Sequence, residues 1–82
     1  MARITVYGKT TCTDTVRSRK LLDAKRIAYD WVDVEKSAEG RRIATEKNNG
    51  KLNTPTIVFD DGAVLVEPSD EQLAKKVGIK LL

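Results

Sequence analysis

The sequence contains no histidine and a single cysteine, and each scarcity excludes a class of chemistry. Without histidine, the chain lacks the most common general base and transition-metal ligand, so we expect neither a serine-type catalytic triad nor a zinc site. A single cysteine, Cys12, cannot form a disulfide within the chain. We therefore expect a reducing, cytoplasmic location for this protein.

Long apolar runs are also absent from the sequence. No segment approaches the roughly 20 apolar residues that a membrane-spanning helix needs, and the N-terminus lacks the charged and then apolar pattern of a signal peptide. The 82 residues are 40% hydrophobic and 33% charged, which is typical of a soluble globular protein. We expect one domain over residues 1–82 and no membrane partner.

Aromatic residues make up only 5% of the chain, and the net charge of +3 is a mild basic bias. Lysines and arginines concentrate between residues 17 and 26, a segment without aromatic side chains. Because nucleic-acid surfaces combine basic residues with stacking aromatics, we interpret this segment as a solvated helix face and expect no nucleic-acid partner. The charge leaves open a small anionic substrate near the start of the helix.

Alternating apolar residues, capping residues and turn residues divide the chain into four predicted strands and three predicted helices. The predicted strands are 3–7, 28–34, 56–60 and 63–66. The predicted helices run from about 14 to 27, from the cap Ser37 to a stop at Asn48–Gly50, and from the cap Ser69 to Gly78. The pair Asp61-Gly62 predicts a tight hairpin between the last two strands.

This order of elements predicts an α/β fold, βαβαββα, with a four-stranded mixed sheet. A right-handed crossover joins the first two strands in parallel, and the hairpin adds two antiparallel strands. The layer rules for such sheets place helices on both faces.

Cys12 lies directly after the first strand, at the predicted start of the first helix. The unpaired N–H groups and the positive dipole end of a helix stabilise a thiolate, which is the nucleophile of disulfide exchange. A lone cysteine is more often a small buried hydrophobe, but the polar neighbours of Cys12 argue against burial. We predict that Cys12 is catalytic and that its pKa is lowered, with the charge of Lys9 contributing.

The run Lys9–Cys12 resembles the active-site segment of glutaredoxins, in which it opens a Cys-x-x-Cys motif. The second cysteine position holds Thr15, so the chain resembles a glutaredoxin reduced to one thiol. The segments 29–34, 48–50 and 67–69 are most similar to those of bacterial mycoredoxin-type glutaredoxins. The resemblance covers essentially the whole chain and implies a thioredoxin-like fold.

The active-site motif around Cys12 then comprises Thr11, Thr13, Asp14 and Thr15. Thr15 follows Cys12 by three residues and faces the same side of the helix. Its hydroxyl either donates a hydrogen bond to the thiolate or merely caps the helix. Asp14 either disfavours a second negative charge nearby or is an ordinary favourable partner of the helix dipole.

The resemblance also implies that residues far along the chain bind substrate. Pro55 matches the cis-proline that lies opposite the active cysteine, and Thr54 offers its backbone to a bound peptide, like an added strand. Ser69 and Asp70 match the pair that holds the γ-glutamyl end of glutathione, although the sequence alone favours a helix cap. Lys9 pairs with the far carboxylate of the tripeptide.

One segment departs from the family pattern. Glutaredoxins usually carry two glycines before the pair that matches Ser69 and Asp70, and this chain has Val66-Glu67-Pro68 there. We therefore expect this loop to bend differently, which leaves the identity of the bound thiol open.

The function that the resemblance implies is that of a monothiol thiol–disulfide oxidoreductase. Cys12 takes the small thiol from a protein mixed disulfide, and a second small thiol, glutathione or mycothiol, reduces the adduct. We expect no permanently bound cofactor, a monomer, and two kinds of partner, the small thiol and proteins that carry mixed disulfides. Two alternatives are an iron–sulfur cluster held between two protomers and a redox-silent binding module. The Cys-Gly-Phe-Ser motif of cluster-binding relatives is matched only by Cys12 and a hydroxyl residue.

Overall fold

The computed structural model describes residues 3–81 and has the element order βαβαββα in that range. Its strands are β1 (Ile4–Gly8), β2 (Asp30–Asp33), β3 (Thr56–Phe59) and β4 (Val64–Val66). Its helices are α1 (Thr13–Ala24), α2 (Ala38–Lys47) and α3 (Asp70–Val77). None of these helices combines the length and the apolar composition that crossing a membrane requires.

The strands form one mixed sheet in the order β2-β1-β3-β4. β1 is parallel to β2 and antiparallel to β3, and Tyr7 of β1 lies opposite Val32 on one side and Thr56 on the other. β4 continues the sheet antiparallel to β3. The predicted α/β fold with a four-stranded mixed sheet is therefore confirmed.

The main apolar core lies where α1 and α3 pack on one face of the sheet. Because side chains alternate across a strand, Ile4 and Val6 point into this core, whereas Tyr7 points to the opposite face beside α2. The buried core residues are Ile4, Val6, Leu21, Leu22, Ile57, Phe59 and Leu73. Through Leu21 and Leu22 the core fixes α1 against the sheet, and Cys12 lies at the start of that helix.

The first helix ends at Ala24 rather than at the predicted residue 27. Arg26 adopts a positive φ of 58°, and the Ile27 N–H donates to the Leu22 carbonyl at 2.9 Å. This hydrogen bond closes a Schellman-type helix ending, in which arginine occupies the left-handed position that glycine usually takes. Ile27 packs against the core. The sequence prediction was wrong here because arginine is a good helix former and carries no stop signal.

All four strands differ in their bounds from the predicted ranges 3–7, 28–34, 56–60 and 63–66, and the difference is largest for β2. β2 spans Asp30–Asp33 instead of 28–34, because this edge strand pairs only with Thr5–Gly8 of β1. The hairpin loop contains Asp60, Asp61 and Gly62, since the Phe59 N–H donates to the Ala63 carbonyl at 2.9 Å. Gly62 has a φ of 89°, as a three-residue hairpin loop with a left-handed last position requires.

The predicted caps of the second and third helices are confirmed. The Ser37 hydroxyl accepts a hydrogen bond from the Gly40 N–H at 2.9 Å. At α3, the Ser69 hydroxyl accepts from the Gln72 N–H at 3.1 Å, and the Gln72 side chain accepts from the Ser69 N–H at 2.9 Å. Gly78 ends α3 with a φ of 77°. Such reciprocal caps hold the first turn of α3 in place.

Candidate functional site

Cys12 is the N-cap residue of α1 and is half-buried. Its extended backbone, with φ −83° and ψ 120°, turns the chain from β1 into the helix. Its N–H donates to the Lys9 carbonyl at 3.2 Å, and its carbonyl accepts from the Val16 N–H at 3.0 Å. These bonds fix the thiol at the positive end of the helix, as the sequence predicts.

The loop before β3 brings Thr54 to the thiol. Cys12 Sγ lies 3.4 Å from the Thr54 carbonyl oxygen, to which the thiol form donates. The Thr54–Pro55 peptide bond is cis, as the resemblance implied. Pro55 is buried, and its carbonyl accepts from the Glu67 N–H at 2.9 Å. The Thr56 hydroxyl donates to the Asn53 carbonyl at 2.7 Å. These hydrogen bonds hold the loop on either side of the Thr54–Pro55 bond.

Thr15 lies beneath Cys12 and is fully buried. Its Oγ1 accepts from the Lys9 N–H at 3.5 Å, and its hydroxyl is among the groups that favour the charged form of Cys12. Since a hydroxyl carries one proton, the Lys9 N–H on its oxygen leaves that proton free to point at Cys12. Thr15 lies within α1 and does not cap it, because Cys12 is the N-cap. Of the two alternatives for Thr15, the capping role is therefore wrong.

Gly8, the last residue of β1, makes room for Thr15. A Cβ atom on Gly8 would lie 2.5 Å from Thr15 Cγ2 and 2.7 Å from Thr15 Oγ1. Real Cβ contacts are not this short. The absence of a side chain at Gly8 therefore allows the threonine to lie between the strand and the thiol.

These surroundings lower the pKa of the Cys12 thiol below its ordinary value. Partial burial by itself raises the pKa, because it disfavours the charged form. The hydroxyls of Thr54 and Thr15 and the N–H groups of Thr15 and Asp14 favour the charged form, lower the pKa and together outweigh burial. The predicted lowering is confirmed, but the charge of Lys9 is not among its causes.

The Asp14 carboxylate points away from this network and pairs with Arg17, one turn further along α1. Asp14 Oδ1 lies 3.0 Å from an Arg17 Nη atom. The other Nη atom donates to the Pro68 carbonyl at 3.3 Å, and Arg17 Nε lies 3.8 Å from Asp70 Oδ1. Arg17 therefore connects the start of α1 with the start of α3.

Sequence reasoning missed the role of Arg17 and placed it in the solvated basic segment. The three-residue spacing from Asp14 is a local signal that predicts their ion pair. The contacts with Pro68 and Asp70 had no such signal, because 51 positions separate Arg17 from Pro68 along the chain.

The remaining predicted site residues flank this arrangement. Thr11 and Thr13 are exposed on either side of Cys12 in the chain, and Lys9 is half-buried. Ser69 caps α3, and Asp70 is its first residue, so this pair lies at a different helix start from Cys12. An open groove of about 510 Å³ between α1 and α3, lined by Thr13, Val16, Arg17, Lys20, Leu21 and Asp70, connects the two helix starts.

The loop Val66-Glu67-Pro68, which departs from the family pattern, turns at Glu67. Glu67 adopts a positive φ of 48°, a conformation that glycine adopts at lower cost. This turn directs the Pro68 carbonyl to Arg17. Within residues 3–81, no group of three or more histidine, cysteine, aspartate or glutamate side chains is arranged to hold a metal ion.

We expect the alkylation of Cys12 by iodoacetamide to have a pH midpoint below the free-cysteine value of about 8.5. Because the pKa is lowered, the reactive thiolate is already populated at a pH where a free cysteine is protonated. Thr15→Val keeps the shape of the side chain and removes its hydroxyl, so the midpoint should rise. A stopped-flow pH series measures both values.

Two control variants isolate the cause of this shift. Thr13→Val removes an exposed hydroxyl next to Cys12 in the chain. Lys9→Gln removes the positive charge that the sequence predicts to help lower the pKa of Cys12. Both should move the midpoint less than Thr15→Val does. A wild-type midpoint at or above that of free cysteine would contradict the hydrogen-bond account.

Known proteins are similar to this chain in sequence and in fold. The family model named Glutaredoxin matches residues 4–64. A candidate glutaredoxin of Mycobacterium tuberculosis, found alike in two strains, is 39% identical over 79 residues, which cover 95% of this chain and 94% of that protein.

Two solved structures share the fold. The crystal structure of a variant of the thioredoxin-like protein BC3987 has a TM-score of 0.83 and 28% identity, and covers 94% of this chain and 96% of its own. The structure of a glutaredoxin from Archaeoglobus fulgidus has a TM-score of 0.76 and 20% identity, and covers 94% of this chain and 87% of its own. At that identity the second similarity concerns the fold alone.

Proposed function

The chain belongs to the glutaredoxin family, and from this premise we propose that it is a monothiol thiol–disulfide oxidoreductase. Its substrates are mixed disulfides between proteins and a low-molecular-weight thiol. One observation carries the proposal: Cys12 is the only cysteine, and the position facing it holds the Thr15 hydroxyl. A hydroxyl cannot resolve a disulfide but can stabilise a thiolate.

In the first step, the Cys12 thiolate attacks the sulfur of the small thiol within the mixed disulfide. A bond forms between Cys12 and the small thiol, the original disulfide bond breaks, and the protein leaves as a thiolate that takes a proton from water. The hydroxyls of Thr15 and Thr54 lower the pKa of Cys12 and so raise the fraction of thiolate at a given pH. Ionisation is what the attack requires, since the thiol form is not nucleophilic.

In the second step, another molecule of the small thiol attacks as its thiolate. It attacks the small-thiol sulfur of the Cys12 adduct and releases Cys12, so the product is the oxidised small thiol. A leaving thiolate of low pKa departs faster, and the same hydroxyls therefore favour this step as well. The balance is one protein mixed disulfide and one small thiol converted into one protein thiol and one small disulfide.

The substrate-binding roles belong to the residues around the thiol. The Thr54 backbone beside cis-Pro55 lies within reach of Cys12 and suits an extended peptide. Lys9 offers a charge to a carboxylate of the small thiol, and Ser69 and Asp70 offer the start of α3 to its other end. Thr11, Thr13 and Asp14 complete the motif around Cys12.

The small thiol, glutathione or mycothiol, serves as co-substrate, and the protein holds no permanent cofactor in this scheme. We further propose that residues 1–82 form a single glutaredoxin-like domain that acts as a monomer. A protein that depends on a free cysteine fits a reducing cytoplasm, where small thiols are maintained in reduced form.

Mass spectrometry with a peptide–glutathione mixed disulfide tests this function. We expect the protein to gain the mass of one glutathione, to release one equivalent of free peptide thiol, and to lose the adduct when reduced glutathione is added. Parallel samples with mycothiol distinguish the two small thiols, and Cys12→Ser is the control that forms no adduct. Transfer of the peptide instead of the small thiol, or no adduct with either reagent, would refute the proposed reaction.

A further inference from the structure

Arg17 makes an unusual set of contacts for a half-exposed side chain near an active site. Its guanidinium contacts the Asp14 carboxylate at 3.0 Å, the Pro68 carbonyl at 3.3 Å and the Asp70 carboxylate at 3.8 Å. Asp14 belongs to the first turn of α1, and Cys12 is the N-cap of that helix. Asp70 is the first residue of α3. One side chain thus spans the two helix starts that the proposed function assigns to the reacting sulfur and to the small thiol.

An ordinary surface ion pair contributes little, and this possibility must be weighed first. Exposed pairs add little to stability, and the Arg17–Asp14 pair alone belongs to that class. The contacts with α3 differ in two respects. Pro68 is buried, and Asp70 Oδ1 is shielded from solvent and has no hydrogen-bond partner within residues 3–81, with Arg17 Nε as its nearest cation.

The planar guanidinium explains how one residue meets all three groups. Arginine presents five N–H donors in a rigid fork, whereas lysine offers a single flexible ammonium group. In the structure, one Nη atom faces Asp14, the other faces the Pro68 carbonyl, and Nε faces Asp70. The positive φ of Glu67 sets the turn that presents the Pro68 carbonyl.

We propose that Arg17 is a positioning residue for the small thiol. It holds the Pro68–Asp70 turn against the first turns of α1 and thereby sets the orientation of the Asp70 carboxylate in the groove between α1 and α3. Its effect is on the affinity for the small thiol and not on the attack by the thiolate. This inference rests on the proposed function, because it assigns the small thiol to the start of α3.

Steady-state kinetics with reduced glutathione as the varied substrate tests this role. Arg17→Gln should raise the KM for glutathione about tenfold, the size expected from losing one charge-assisted contact, while kcat changes less than twofold. Arg17→Lys should give an intermediate KM, since a lysine reaches one of the three acceptors at a time. A merely structural role would lower kcat and thermal stability without this separation of KM from kcat.

Arg42→Gln is the matched control. Arg42 lies on α2 and also pairs with two carboxylates, Glu46 at 2.9 Å and Glu39 at 4.0 Å, so its replacement removes the same charge and the same number of ion pairs. Its KM for glutathione should stay at the wild-type value. An equal KM in the Arg17→Gln and Arg42→Gln variants would overturn the inference while leaving the proposed function intact.

A binding measurement separates the two failures. Isothermal titration of the Cys12→Ser variant with glutathione reports affinity without chemistry, and adding Arg17→Gln should weaken that affinity about tenfold. If the wild-type protein turns over no mixed disulfide, the proposed function fails and this titration still decides the role of Arg17. Unchanged affinity in the double variant, or no glutathione binding by Cys12→Ser, would overturn the inference.

Discussion

Thr15→Cys is expected to convert the monothiol protein into one that closes an internal disulfide with Cys12. The Thr15 hydroxyl is near enough to the Cys12 sulfur to favour its charged form, so a thiol in its place lies within reach of that sulfur. A thiolate there also lies close enough to attack an adduct on Cys12 and expel the small thiol. After incubation with oxidised glutathione, the variant should lose the mass of two hydrogens, whereas the wild type should gain one glutathione.

The control for this experiment is Thr13→Cys, which adds a thiol on the exposed side of the same turn. That variant should bind glutathione at both cysteines and form no internal bond. Reduction of simple mixed disulfides by Thr15→Cys should change little in excess glutathione, because the monothiol route uses no second cysteine. A stable glutathione adduct on Thr15→Cys would show that position 15 does not face Cys12.

Gly8→Ala is expected to destabilise the protein and to raise the pKa of Cys12 at the same time. The added Cβ would lie 2.5 Å from Thr15 Cγ2, in contact with a side chain that is fully buried between β1 and α1. Overpacking of this kind costs about 1–3 kcal/mol, since neither the strand nor the helix can move freely. Moving Thr15 also removes its hydroxyl from the thiolate, and alkylation should shift to higher pH.

Chemical denaturation and the alkylation series measure the two effects separately. In a Thr15→Ala background, the atoms that the new Cβ meets most closely are absent, and Gly8→Ala should cost less free energy of unfolding. A coupling free energy between the two substitutions is expected because the residues are in contact. Equal costs in the two backgrounds would mean that the strain of Gly8→Ala arises elsewhere than at Thr15.

The order of strands and helices was predictable because its signals act over a few residues. The caps of Ser37 and Ser69 bond to main-chain groups within one turn, and an aspartate followed by Gly62 turns a hairpin locally. The position of Cys12, after a strand and at the start of a helix, was predictable for the same reason. The resemblance of its neighbours to glutaredoxins supported that prediction. Such interactions depend on spacing along the chain, which a sequence displays directly.

The features that only the tertiary structure decided depend on residues far apart in the sequence. The contact between Cys12 and Thr54 joins positions 42 residues apart and was expected only from the resemblance to glutaredoxins. The lowered pKa of Cys12 was attributed partly to Lys9, and Thr54 was given no part in it. The end of α1 at Ala24 depends on Ile27 reaching the core, although Arg26 is a good helix former. The pattern of residues along the chain does not predict such contacts, because they form only when the sheet brings the loop before β3 and the start of α3 next to α1. The sequence thus predicted a reactive thiol with the Thr15 hydroxyl on the same side of the helix, whereas the contact of Thr54 with that thiol depends on the packing of the fold.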